Sequence, residues 1–217
     1  MLKIAPSILS ADFSKLGEDI VRIDNAGADM VHIDIMDGVF VPNISFGMPV
    51  VKAIRKYTKL PFDVHLMIVE PQKYIKEFVA CGADYITFHI EAIEDPEAVR
   101  SALKEIREAG VGAGLSVKPK TPAEAIFPYL DLLDGVLVMT VEPGFGNQKM
   151  IPECLAKVKE IRAEADKQGF KPLISMDGGM NLSTAEEVRN SGVDMAVAGS
   201  AVFGAPDAAE MIKMLRG

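Results

Sequence analysis

The sequence predicts an α/β chain folded as a (β/α)8 TIM barrel. Strand-like and helix-like segments alternate about eight times, at intervals of roughly 20 to 35 residues, the pattern of repeated βα units. The strand-like runs are short, continuous and apolar, as expected of parallel strands covered on both faces. Helix-to-strand junctions recur as Ala26-Gly27-Ala28-Asp29, Cys81-Gly82-Ala83-Asp84, Ala109-Gly110-Val111 and Ser191-Gly192-Val193-Asp194. In each, glycine suits the left-handed cap that ends a helix. At 217 residues the chain is expected to form one domain over residues 1–217, without a composition shift to mark a boundary. Eight units in that length favour a closed barrel over an open doubly wound sheet.

Each element follows from its own signals. Leu2–Ser7 reads as the first strand, and Phe13–Asn25 as an amphipathic helix behind the cap candidate Ala11-Asp12. Met30–Met36 is the second strand and Pro49–Lys56 the next helix. Phe62–Met67 precedes a helix from Pro71 to Cys81, with proline at a favoured first-turn position. Tyr85–His89 precedes a helix over Pro96–Ala109, and Gly112–Val117 a short helix around Pro122–Phe127. Gly135–Thr140 precedes Pro152–Gln168, Pro172–Asp177 precedes Ser183–Ser191, and Asp194–Ala198 precedes the closing helix Ala208–Arg216.

Composition narrows the function. The net charge of −8 argues against a nucleic-acid surface, which needs a basic stripe. The N-terminal residues lack a basic region followed by an apolar core, so no signal peptide is expected. No apolar run approaches the ~18 residues of a membrane span. Cys81 and Cys154 fall in helix-like segments without metal spacing. They read as structural thiols in a reducing cytoplasm.

Polar residues interrupt the apolar strands at particular places. His32 and Asp34 lie two apart in Val31-His32-Ile33-Asp34-Ile35-Met36, so a strand points both to one face. His65 and Asp177 repeat the anomaly near the ends of the third and seventh strands. An unpaired imidazole or carboxylate in a barrel interior costs several kcal/mol unless satisfied. Gathered at the C-terminal rim, where barrels keep their chemistry, these four are candidate ligands of one divalent metal ion. Imidazole with carboxylate suits Zn, Fe, Mn or Co alike. His89, the third histidine, reads as a structural hydrogen-bonding group, with a contact to the site as the alternative.

Three glycine-rich loops follow the last three strands. They are Glu142-Pro143-Gly144-Phe145-Gly146-Asn147-Gln148, Asp177-Gly178-Gly179-Met180-Asn181 and Ala198-Gly199-Ser200-Ala201. Glycine lets backbone N–H groups approach an oxyanion closely, so neutral amides can hold a phosphate even on an acidic protein. Met36, Met67 and Met139 fall at the same rim. They read either as core fillers or as a polarizable lining that keeps a metal site dry.

At these residues the chain resembles the ribulose-phosphate 3-epimerases along nearly its whole length. The likeness includes Pro6–Phe13 (PSILSADF), Val31–Asn43 (VHIDIMDGVFVPN), His65-Leu66-Met67, Val138–Gly146 (VMTVEPGFG), Asp177-Gly178-Gly179 and Gly199-Ser200-Ala201. The resemblance implies that His32, Asp34, His65 and Asp177 bind one divalent metal, and that Asp34 and Asp177 are the two acid/base groups. It implies that Ser7 and His65 contact substrate, with phosphate held by the loops carrying Gly144, Phe145, Gly146, Asn147, Gly178, Gly179, Gly199 and Ser200. The expected activity is interconversion of D-ribulose 5-phosphate and D-xylulose 5-phosphate by proton transfer at C3 through an enediolate. Such an enzyme is expected in the cytoplasm as a homo-oligomer acting on a small sugar phosphate.

Three positions depart from the family pattern. Asn147 stands where the family's loop has a last glycine (Gly-Phe-Gly-Gly-Gln), and asparagine tolerates positive φ better than most residues. Met176 and Met180 stand where smaller apolar residues are usual.

The nearest alternative is a 3-epimerase of a six-carbon ketose phosphate such as D-allulose 6-phosphate. A metal-dependent hydrolase barrel would carry His-x-His on its first strand, where this chain has Ile4-Ala5-Pro6-Ser7. A non-catalytic sugar-phosphate-binding barrel would not need both carboxylates.

Overall fold

Strands β1 (Lys3–Pro6), β2 (Val31–Met36), β3 (Phe62–Met67), β4 (Tyr85–His89), β5 (Gly112–Val117), β6 (Gly135–Met139), β7 (Leu173–Asp177) and β8 (Met195–Ala198) form one parallel sheet. Their order is β1-β8-β7-β6-β5-β4-β3-β2, and an isolated parallel bridge between Ser7 and His32 joins the two ends. The computed structural model describes residues 1–217. Helices α1 (Leu16–Asn25), α2 (Met48–Ile54), α3 (Ile75–Ala80) and α4 (Pro96–Glu108) follow the first four strands. Helix α5 (Ala156–Gln168) follows β6 and α6 (Ala185–Ser191) follows β7, while α7 (Ser200–Phe203) and α8 (Ala208–Arg216) follow β8. The arrangement is a (β/α)8 barrel.

Local chemistry explains the helix ends. The Asp95 carboxylate accepts from Glu97 N–H ahead of α4, where Pro96 takes the first position, and Asp207 accepts from Ala209 and Glu210 ahead of α8. Helices α5 and α6 end at Gly169 and Gly192, both left-handed, and Gly192 lies in one of the predicted junctions.

The helices expected from Phe13, Pro71 and Pro152 each open with a 3-10 turn, over Phe13–Lys15, Pro71–Tyr74 and Pro152–Leu155, and two segments differ further from the sequence expectation. The region around Pro122–Phe127 forms two 3-10 turns, Ala123–Ala125 and Phe127–Leu132, in place of a short α-helix. Pro128 cannot donate and disfavours an α conformation at the residue before it, so the helix does not propagate. After β8, the run expected to be a glycine-rich loop opens the one-turn helix α7 at Ser200.

The strands are buried on both faces. Val31, Ile33 and Ile35 belong to the main core shared with the helices, together with Ile20, Ile23 and Val51. The alternate residues of β2 are His32, Asp34 and Met36, on the barrel side. At the strands' N-terminal end that interior is plugged by Ala5, Met30 and Met195. Function is left to the other end.

That N-terminal end repeats one device four times. Asp29, Asp84, Asp134 and Asp194 each enter an even-numbered strand and accept the backbone N–H of Ile4, Phe62, Ala113 and Ile174 on the preceding strand, at 2.8, 2.8, 3.0 and 2.8 Å. Each also donates its own N–H to the same residue's carbonyl. Arg216, Arg55, Arg107 and Arg162 respectively pair with the four carboxylates.

Candidate active site

Three neighbouring strands carry a polar pair at two-residue spacing: His32 and Asp34 on β2, Asp63 and His65 on β3, His89 and Glu91 at the end of β4. The pleat sends the first two pairs to one side of their strands, and Glu91, in the 3-10 turn Ile90–Ala92, turns back to His89. Parallel register sets His32 beside Asp63 and Asp34 beside His65. Asp177 ends β7, and Ser7 follows β1. His32, His65 and His89 are fully buried and Asp34 nearly so, so their polar atoms need partners within the protein.

The partners are specific. His32 Nδ1 lies 2.8 Å from Asp63 Oδ2. Its Nε2 is buried without a hydrogen-bond partner, 3.2 Å from Asp34 Oδ1 and 4.0 Å from Asp177 Oδ2. His65 Nδ1 lies 3.2 Å from the same Asp34 oxygen, and Ser7 Oγ–H donates to Asp34 Oδ2 at 2.5 Å. One donor atom from each of His32, Asp34, His65 and Asp177 falls within 4.8 Å of the others. Two imidazole nitrogens with two carboxylate oxygens form a donor set suited to a borderline divalent ion. The orphaned His32 nitrogen, aimed between two carboxylates, fits a cation there. The cluster could hold one metal ion.

The two carboxylates sit in opposite electrostatic settings. Burial alone would raise the Asp34 pKa, but the His32 charge beside it holds it well below the usual carboxylate range. Burial is also the largest influence on Asp177; with the Asp34 charge beside it, it pushes that carboxyl up to about 6. His32 is raised well above its usual value, since Asp34 and Asp63 together outweigh its desolvation. Further out, burial drives His89 down to about 4. Burial works the other way on Glu91, but hydrogen bonds from His89, Thr121 and the Lys118 N–H prevail and take it to about 2.

Above the cluster lies a cavity of about 320 Å³. Ser7, Asp34 and Asp177 line it together with Met36, Met67 and Met139. The rest of its wall includes Gly144, Phe145, Gly146 and Asn147, then Gly178 and Gly179, then Gly199 and Ser200. His32 and His65 lie behind it, in the barrel. Every expected site residue is thus brought to one place. The three methionines are both buried filler and cavity lining. Gly179 needs to be glycine: at φ 72° a Cβ would stand 2.5 Å from the Met150 backbone nitrogen. Asn147 takes φ 57°, the left-handed conformation that asparagine tolerates, and its Oδ1 lies 3.5 Å from Ser200 Oγ.

Sequence reasoning missed Asp63, Glu91 and Ser45. Ser45 Oγ donates to the Asp34 carbonyl at 2.6 Å and accepts from Met36 N–H. Asp63 and Glu91 carried a readable signal, because each repeats the two-residue polar spacing of His32 and Asp34. Ser45 carried none, since a serine in a loop is ordinary. His89 turns toward the site: its Nε2 lies 2.9 Å from His65 Nε2.

A family model described as the ribulose-phosphate 3 epimerase family matches residues 3–203. The chain belongs to this family. Ribulose-phosphate 3-epimerase of Bacillus subtilis is 50% identical over 218 residues, covering 100% of this chain and 99% of that protein. Ribulose-phosphate 3-epimerase of Synechocystis sp. is 49% identical over 213 residues, covering 98% of this chain and 92% of its own. The solved structure of 3-hexulose-6-phosphate synthase from Salmonella typhimurium matches with a TM-score of 0.69 at 20% identity, over 99% of this chain and 97% of that one. At that identity the likeness is one of fold. No helix is long and apolar enough to cross a membrane.

Proposed function

We propose that the chain interconverts D-ribulose 5-phosphate and D-xylulose 5-phosphate by moving the C3 proton from one face of the sugar to the other. Membership of the epimerase family makes it an isomerase, and the names of its relatives do not favour the six-carbon alternative. The observation that carries the reading is the pair Asp34 and Asp177, brought from β2 and β7 to one cavity beside two histidines.

Inversion at C3 needs a base on one face and an acid on the other. Asp34, held charged by its histidine neighbours, suits the base; Asp177, with its raised pKa, suits the acid, and the roles exchange in the reverse direction. Ser7, donating to Asp34, orients that carboxylate and reaches the cavity. His32, Asp34, His65 and Asp177 would hold one Zn, Fe, Mn or Co ion. Such an ion, as a Lewis acid, would stabilise the negative charge of the enediolate. Met36, Met67 and Met139 give the cavity beside the carboxylates an apolar wall, which strengthens charge interactions there. The backbone around Gly144–Asn147, Gly178-Gly179 and Gly199-Ser200 would receive the phosphate through N–H groups.

Two further parts belong to the proposal. Cys81 and Cys154 are buried free thiols, which supports a reducing cytoplasm. Exposed Val39 and Ile44 support self-association into a homo-oligomer.

Incubation with ribulose 5-phosphate in D2O should place one deuterium at C3 and yield xylulose 5-phosphate without cleavage products. A chelator should stop the exchange, and returning a divalent ion should restore it. Recovery of substrate with no deuterium from metal-replete protein would sink the reading.

A further inference from the structure

Behind the site runs a chain of hydrogen bonds that leaves the cavity. His65 Nε2 lies 2.9 Å from His89 Nε2, His89 Nδ1 lies 3.2 Å from Glu91 Oε2, and Glu91 Oε1 accepts the Lys118 N–H at 2.8 Å and the Thr121 hydroxyl. The His89 ring is fully buried, covered by the Phe40 ring at 5.0 Å between centroids. Water is therefore not its partner.

Only one proton arrangement satisfies these contacts when both rings are neutral. A carboxylate accepts and cannot donate, so His89 must present Nδ1–H to Glu91. A neutral imidazole with Nδ1–H has a bare Nε2, so the proton in the contact between the rings belongs to His65. His65 then carries Nε2–H, and its Nδ1 lone pair faces Asp34 Oδ1 at 3.2 Å. A lone pair facing a carboxylate oxygen is repulsive unless a cation lies between them. The arrangement makes His65 a ligand and not a donor.

We infer that Glu91, acting through His89, is a positioning residue that fixes the tautomer of His65 and turns its Nδ1 lone pair into the cluster. The inference rests on reading the His32–Asp34–His65–Asp177 cluster as a cation site. It gives the two histidines different supports: His32 is held directly by Asp63, His65 at one remove by Glu91. Glu91 is itself fixed by the loop after β5, since Lys118 and Thr121 lie beyond Val117. The ligand geometry at β3 is therefore anchored two strands away.

The test is competition for Zn²⁺ between the metal-free protein and a chromophoric chelator. The unaltered chain should take up one Zn²⁺. His89→Phe keeps a ring against Phe40 but removes the acceptor, and should bind zinc about 10- to 100-fold more weakly. His89→Gln, whose carboxamide oxygen can reach the lost acceptor position, should recover most of that loss. Glu91→Gln, at the half-buried end of the chain, serves if His89→Phe does not fold. Its amide can donate to His89 and reverse the ring, so it too should weaken zinc binding, by about threefold or more.

All three histidines of the chain lie in this cluster, so 15N-histidine labelling of the zinc-loaded protein reads three rings. His89 should be protonated at Nδ1 only, and His65 at Nε2 only. A His89 ring protonated at Nε2, or equal zinc affinity in Glu91→Gln and the unaltered chain, overturns the relay while leaving the metal reading intact. An unaltered chain that takes up no zinc overturns both.

Discussion

The two ends of the barrel are built on opposite plans. At the N-terminal end four aspartates do the same thing, each tying an even-numbered strand to the one before it and each meeting an arginine. The interior there is plugged by Ala5, Met30 and Met195, leaving a void of only about 20 Å³. At the C-terminal end no device is shared by all the strands, charged groups are buried, and a cavity of about 320 Å³ opens above them. Repetition serves stability, because each clamp satisfies a strand N–H that would otherwise lack a partner. Irregularity serves chemistry, because a reacting sugar has no fourfold symmetry. The charges at the first end are partly solvated and cheap to hold. Those at the second are desolvated and would be costly without a cation, a substrate or a shared proton.

This contrast can be broken most severely at the cavity end. Asp34→Asn or Asp177→Asn should lower kcat by about 10³-fold or more, since each removes one of the two proton-transfer groups. Neither should unfold the protein. In the metal-free protein Asp177→Asn should raise the melting temperature above pH 7, because the ionised carboxylate there is opposed by burial and by Asp34. Steady-state kinetics on the metal-loaded protein and thermal melts on the metal-free protein check the two halves. Normal turnover with a lowered melting temperature would reverse the assignment of the two ends.

At the clamp end the signs should invert. Asp29→Ala leaves the Ile4 N–H without its carboxylate partner and should cost about 1.5–3 kcal/mol, the range for a hydrogen bond to a charged group. Arg216→Ala removes a partly exposed ion pair at 2.7 Å and an exposed hydrogen bond to the Gly27 carbonyl, and should cost less than Asp29→Ala, about 1 kcal/mol. Both should leave kcat and KM unchanged. Urea unfolding gives the cost and the coupled kinetic assay the rest.

The legibility of the sequence follows the same division. His32, Asp34, His65 and Asp177 could be read because a polar side chain in an apolar strand needs a reason. The fold could be read because eight apolar runs alternate with capped helices. Asp29, Asp84 and Asp194 stood in the junctions that revealed the glycine caps, yet an aspartate after glycine is what any surface turn contains, so their shared role was invisible until the neighbouring strand was in place. Glu91 repeats the polar spacing of His32 and Asp34, but it lies just past its strand, where charge is expected, so the spacing alone does not single it out. The helix expected around Pro122–Phe127 does not form because Pro128, just past it, stops propagation.

The mildest test of the contrast lies in a loop that belongs to the cavity end but does no chemistry. Asn147→Gly would supply the glycine that the family pattern has at this position. Glycine relieves the cost of φ 57° and loses the 3.5 Å contact with Ser200. It also gives the unfolded chain more freedom, worth about 0.4–1 kcal/mol against folding. The two backbone effects oppose each other, so stability should change by less than about 0.5 kcal/mol. The Ser200 contact is at the outer limit of a hydrogen bond, so its loss should move KM by less than about threefold and kcat not at all. A larger rise in KM, measured on ribulose 5-phosphate, would mean that the asparagine side chain itself reaches the phosphate, and that this loop recognises its ligand with more than backbone.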